Sequence, residues 1–187
     1  MADATETERE HWLVLQAQSG SHEALNELFK CVQEPLFRYI VSLVKQQQLA
    51  EDILQEVFIR IYRKLRWLRE PRAFRAWSYR IASRESFRYL RHERPWSDQI
   101  SDDDALNALS ASPKGEFSAE LIQSIPRMVD RLSPASRAVV VLFYLHEMSL
   151  NETAMVLDLP LGTVKSRLAY GLDALRQQLK GNDNERT

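Results

Sequence analysis

The side chains in this chain best equipped for chemistry are cations crowded into one short window. Positions 60 to 94 hold Arg60, Arg63, Lys64, Arg66, Arg69, Arg72, Arg75, Arg80, Arg84, Arg88, Arg91 and Arg94, against Glu70, Glu85 and Glu93. All but one of these bases are arginines. Arginine offers a planar fork of donors that fits phosphate oxygens and stacks on flat rings, whereas a merely solubilising face uses lysine more freely. The preceding residues 1 to 59 have only Arg9, Lys30, Arg38 and Lys45 to set against ten acids. A formal net charge of -1 therefore hides two oppositely charged stretches.

Two further sets stand out. Asp52, Gln55 and Glu56 fall on one side of a helix, an acidic and amide face suited to a basic partner. Near the C-terminus, Thr163, Ser166, Arg167 and Tyr170 share the outward face of a helix. Enzymatic chemistry is not expected: no nucleophile and base are paired, no glycine loop could cradle phosphate, and Asp102, Asp103 and Asp104 are too local to count. His11, His22, His92 and His146 lack metal-ligand spacing, so neither a metal nor another cofactor is expected. Cys31 is the sole cysteine. It lies on an apolar helical stripe and reads as a buried structural thiol.

The elements that must position these residues are helices. Apolar residues recur at helical spacing, glycine is scarce, and no stretch alternates with a period of two, which predicts an all-α chain. The first pattern joins Ala24, Leu25, Leu28, Phe29, Val32, Leu36, Ile40, Leu43 and Val44, with Pro35 as a kink or break. A second joins Leu49, Ile53, Val57, Ile61 and Leu65, widened by Leu54, Phe58 and Tyr62, and turns Glu51, Asp52, Gln55, Glu56 and Arg60 the other way. Past the turn at Glu70 and Pro71, a third buries Phe74, Trp77 and Ile81, and lines up Arg80, Arg84, Arg88 and Arg91 as one ridge.

Between Pro95 and Ser118 the composition shifts to Ser, Asp and Ala, as in a flexible acidic linker. Beyond it, Ser133 and Pro134 supply a cap and a first-turn proline. Ser149 and Glu152 have the spacing of a capping box. The last helix opens at Gly162 and Thr163 and buries Val164, Leu168, Leu172, Leu175 and Leu179. Two short helices about the turn Asp158 to Leu161 make a helix-turn-helix. No stretch approaches the roughly 20 apolar residues of a membrane span, and the acidic start Met1 to Glu10 is unlike a signal peptide. A cytoplasmic protein without membrane insertion is expected.

With these elements in order, the sequence resembles the extracytoplasmic-function (ECF) subfamily of the bacterial sigma-70 RNA polymerase sigma factors. "LAEDILQEVFIRIYRKL" is similar to that family's polymerase-binding helix and "PRAFRAWSYRIASRESFRYLRHER" to its minus 10 helix. "LSPASRAVVVLFYLHEMSLNETAMVLDLPLGTVKSRL" is similar to its minus 35 domain. "GTVKSRL" by itself also resembles response-regulator DNA-binding domains, but the ordered pair across a linker is specific. The resemblance implies two small helical domains: an N-terminal segment 1–20, region 2 over 21–95, a linker 96–118, region 4 over 119–181 and a tail 182–187. It implies that Asp52, Gln55 and Glu56 dock on the clamp of the largest subunit of core RNA polymerase. It implies that Arg80, Arg84, Arg88, Arg91 and Trp77 meet minus 10 DNA, with core packing the first role of Trp77. Thr163, Lys165, Ser166, Arg167 and Tyr170 would meet minus 35 DNA, Arg167 as the guanine contact. An anti-sigma factor is a further implied partner.

The sequence departs from the family's pattern where Arg84 and Arg88 replace a common Asn and Asp, and where Tyr170 and Leu172 replace basic residues. Residues 133 to 181 are nearly charge-balanced, so the salt dependence of promoter binding is expected mainly from region 2. Two other readings share these residues: a helix-turn-helix regulator acting without polymerase, which leaves the first half unexplained, and a sigma-like adaptor that no longer opens promoters.

Overall fold

The computed structural model describes residues 2–93 and 128–184, and every element in them is helical. The expected linker 96–118, Arg94, and the side chains of His92 and Leu179 lie outside the described residues. The chain divides into two compact units, Met1–Arg88 and Tyr89–Thr187.

In the first unit, α1 (Ala2–Gln18) leads into α2 (His22–Val44) through Gly20, whose φ of 98° suits a residue without Cβ. Ser21 caps α2, its hydroxyl accepting from Ala24 N at 3.2 Å. The helix runs unbroken through Pro35, because Leu28, Val32, Leu36, Tyr39, Ile40 and Leu43 keep one buried stripe on both sides of it. The packing of that stripe outweighs the loss of one backbone bond at the proline. A left-handed Lys45, φ 61°, ends the helix. The expectation of a buried Cys31 is wrong: the thiol is exposed, since it sits one position, about 100°, before Val32 on the helix.

The buried stripe of α3 (Gln47–Lys64) is Ala50, Ile53, Leu54, Val57 and Ile61. Phe29 and Phe58 stack at 4.6 Å and join α2 to α3. Tyr62 does not widen the stripe as expected; one residue past buried Ile61, it is 59% exposed. Short 3-10 turns at Leu65–Trp67 and Pro71–Ala73 lead to α4 (Phe74–Glu93). The residues ahead of α2 are bound into the unit as well, with Val14 of α1 fully buried and Gln18 Nε2 donating to Leu65 O and Leu68 O, both at 2.8 Å.

The buried face of α4 differs from the one its apolar residues predict. Phe74 is fully buried, but Trp77 and Ile81 are only partly covered, and the inward positions are Ser78, Tyr79, Ala82, Ser83, Glu85 and Ser86. Tyr39 and Tyr79 meet at 5.3 Å between ring centres. Ser83 Oγ donates to Tyr79 O at 2.8 Å, which uses its one proton, so the 2.7 Å contact between Tyr39 Oη and Ser83 Oγ has the tyrosine as donor.

In the second unit, a turn at Val129–Arg131 precedes α5 (Pro134–Tyr144), α6 (Leu150–Leu157) and α7 (Leu161–Asn184). Ser133 caps α5 with Pro134 at its first position. Ser149 and Glu152 close the reciprocal capping box of α6. Asp158, φ 55°, turns the chain toward α7. Val164, Leu168, Leu172 and Leu175 form the buried stripe of α7. Gly171 belongs to the same face, where a Cβ would come within 2.7 Å of Val140 Cγ2. Arg137 is buried inside α5, with Nε donating to Val129 O at 3.0 Å and Nη2 to Asp130 O at 3.1 Å and Leu132 O at 2.7 Å. One side chain thereby satisfies the carbonyls of the turn that leads into the helix.

Candidate functional site

Packing of α3 through Ile53, Leu54, Val57 and Ile61 turns the intervening positions outward. Asp52 and Gln55 are exposed and Glu56 is half-buried, so the three share the outer face of one rigid helix. Ile59 follows Gln55 by one turn and is 42% exposed, adding an apolar contact to that face. Sequence reading missed it, although its place off the buried stripe was a usable signal.

On α4, Arg84, Arg88 and Arg91 are exposed and Arg80 is half-buried, all on the one continuous helix. Trp77 packs on Phe74 with ring centres 6.0 Å apart, but it is only partly covered rather than in the core position expected of it. Its remaining edge lines a cleft of about 370 Å³ with Lys64, Trp67, Leu68 and Arg69. Trp67 is 69% exposed, and the Arg66 guanidinium carbon lies 4.6 Å from its ring centre. An exposed indole among cations can stack on a base and hold the adjoining phosphates. Trp67 was legible as an aromatic off every helical stripe, flanked by Arg66 and Arg69.

Glu85 was also missed. It is 5% exposed and receives Arg60 of α3, whose Nε lies 2.8 Å from Oε1, and Arg88 of α4, whose Nη2 lies 2.7 Å from Oε2. Arg88 therefore carries its charge beside a buried carboxylate, and α3 is joined to α4 by charge as well as by packing.

In the second unit, α6 and α7 meet at the Asp158 turn. The outer side of the start of α7 presents exposed Lys165 with half-buried Thr163, Ser166, Arg167 and Tyr170. Ser166 Oγ donates to Gly162 O at 3.0 Å, which leaves its lone pairs as its outward capacity. Leu172 is buried, so its replacement of a basic residue serves the core. Among the described residues, no group of three or more His, Cys, Asp or Glu is placed to hold a metal ion, and no helix is long and apolar enough to cross a membrane.

Models of known families match both units: Sigma-70 region 2 over residues 28–95 and Sigma-70, region 4 over 128–177. The ECF RNA polymerase sigma-E factor of Escherichia coli (strain K12) is 30% identical over 178 residues, 90% of this chain and 93% of that protein. The chain belongs to the ECF sigma factors. The ECF RNA polymerase sigma factor SigW of Bacillus subtilis (strain 168) is 29% identical over 177 residues, 89% of this chain and 95% of its own length. The fold is shared with the sigma factor RpoE of Bartonella quintana, solved with the anti-sigma factor NepR. That match has a TM-score of 0.62 and 21% identity, and covers 83% of this chain and 96% of the other. The two family matches flank the unmatched stretch 96–127, within which the expected linker falls.

Proposed function

We propose that this sigma factor binds the clamp of core RNA polymerase with Asp52, Gln55 and Glu56, and that Ile59 adds apolar contact to the same footprint. On that reading α4 meets minus 10 DNA through Arg80, Arg84, Arg88 and Arg91, while Trp77 with Trp67 forms a stacking wall for an unpaired base. The start of α7 reads minus 35 duplex through Thr163, Lys165, Ser166, Arg167 and Tyr170. Region 2 spans 21–95 with α1 packed against it, and region 4 spans 119–181. The protein works in the cytoplasm as the specificity subunit, with the chemistry of RNA synthesis left to the polymerase. It is held in check by an anti-sigma factor, as the solved complex of the similar RpoE with NepR suggests by likeness of fold.

The observation that carries this reading is the opposition of charge on two joined helices. The α3 face is acidic and amide, suited to a basic protein surface, and the α4 ridge is arginine, suited to a phosphate backbone. The test is binding of core polymerase and of promoter DNA by an Asp52→Arg, Glu56→Arg protein. Reversing both charges abolishes polymerase binding and leaves the helical content and the minus 35 duplex affinity at the parental level. Polymerase binding at parental strength would refute the docking assignment.

A further inference from the structure

Glu85 is the one carboxylate buried among the described residues, and two guanidiniums from different helices converge on it. A carboxylate drawn out of water requires cations close by. Arg60 Nε and Glu85 Oε2 have no aligned hydrogen-bond partner, so the contacts at these two atoms are held by charge. Arg88 stays 45% exposed and Arg60 38%, so both can still feel a phosphate outside. One negative charge serves two positive ones. The triad shows the DNA a net charge of one, where three separate side chains in water would act singly.

We propose that Glu85 is a positioning residue for promoter opening: by holding Arg60 and Arg88 it sets the register of the α4 ridge on the opened strand and restrains its attraction to any duplex. The proposal rests on the assignment of α4 to minus 10 DNA.

The test compares Glu85→Gln, Glu85→Asp and Arg84→Gln in the full chain. Fluorescence anisotropy measures affinity for a duplex oligonucleotide of unrelated sequence across a salt series. Permanganate reactivity of the holoenzyme, on promoters recovered from genomic DNA by run-off transcription, measures opening. Glu85→Gln releases one uncompensated cation, so the slope of log affinity against log salt steepens by about 0.9 and duplex binding at low salt tightens. Opening falls roughly tenfold, as expected when one charge-assisted contact is misplaced, with polymerase binding unchanged. A purely structural role predicts the reverse at low salt, with weaker duplex binding and a lower melting temperature; that result, or parental slope and opening, overturns the proposal. Should Glu85→Gln fail to fold, Glu85→Asp carries the test: it keeps the charge and the salt slope but loses opening through its shorter reach, and parental opening overturns the proposal. Arg84→Gln separates the two layers. A shallower slope in Arg84→Gln upholds α4 as the DNA face whatever Glu85 does, whereas an unchanged slope and unchanged opening remove that face and the proposal with it.

Discussion

Replacing Arg137 by methionine keeps an unbranched apolar stem and removes the bonds that the guanidinium donates to three carbonyls. Val129 O then keeps its turn bond from Leu132 N at 3.0 Å, while Asp130 O and Leu132 O lose the guanidinium. Asp130 is exposed, so water can replace that bond, but Leu132 is buried and its carbonyl cannot recover its own. One stranded buried acceptor at about 1 to 3 kcal/mol sets the loss at about 2 kcal/mol. The guanidinium itself is desolvated, and burial pushes its pKa below the ordinary arginine value while Asp130 pulls it back, so removing it returns part of that cost. For a small unit each kcal/mol is worth about 4 to 8 °C, so the region 4 transition should fall by about 10 °C. Scanning calorimetry of the full chain reads this directly. A fall under about 4 °C would refute the reasoning, since a stranded buried carbonyl cannot cost so little.

Burial raises the pKa of both Tyr39 and Tyr79 above the ordinary tyrosine value of 10.0, desolvation being the largest cause in each. The folded chain therefore keeps its phenolic protons where the unfolded chain has lost them: the contribution is whole below pH 10 and declines by about 1.4 kcal/mol per pH unit per tyrosine above it. Urea titrations from pH 9 to 11.5 should show this decline, and Tyr39→Phe should roughly halve its slope; a flat profile would be inconsistent with buried phenols. Gly171→Ala places a methyl 2.7 Å from Val140 Cγ2. Overpacking of about 1 to 3 kcal/mol exceeds the gain of about 1 kcal/mol in helix propensity, so the region 4 melt drops, recovers in part with Val140→Ala, and would have to rise to contradict the contact. Trp67→Ala, at a site 69% exposed, should leave the melt unchanged but weaken binding of a single-stranded oligonucleotide by about 1 to 3 kcal/mol; parental affinity would remove Trp67 from the stacking wall.

The sequence was most readable where structure is made locally. Ser133 with Pro134 and Ser149 with Glu152 satisfy their own helix starts within four residues, so their spacing announces them before any tertiary contact is known. The stripes of α3 and α7 were equally plain, because large aliphatic residues recur there at one face. Reading failed on α4, where Ser78, Ala82 and Ser86 face inward and hydrophobicity gives no signal. Cys31 and Tyr62 were misfaced for a related reason: each adjoins a buried residue, and a step of about 100° decides between core and solvent. Pro35 looked like a break, yet continuous packing on both sides holds the helix through it. Charge was legible as an inventory but not as pairs. Twelve bases and three acids in one window pointed to nucleic acid, while the burial of Glu85 between Arg60 and Arg88 required the neighbouring helix. Arg137 likewise counted as one base among several, though its bonds to Val129 O, Asp130 O and Leu132 O hold the turn before its own helix.

The most direct test of the account is run-off transcription from a genomic promoter library with core polymerase, in the presence and absence of this protein. Start sites that require the protein, share an upstream element, and weaken with Arg167→Ala at that element are the predicted result. Binding of core polymerase with no protein-dependent start site would leave only an adaptor, and an absence of polymerase binding would contradict the assignment at its root.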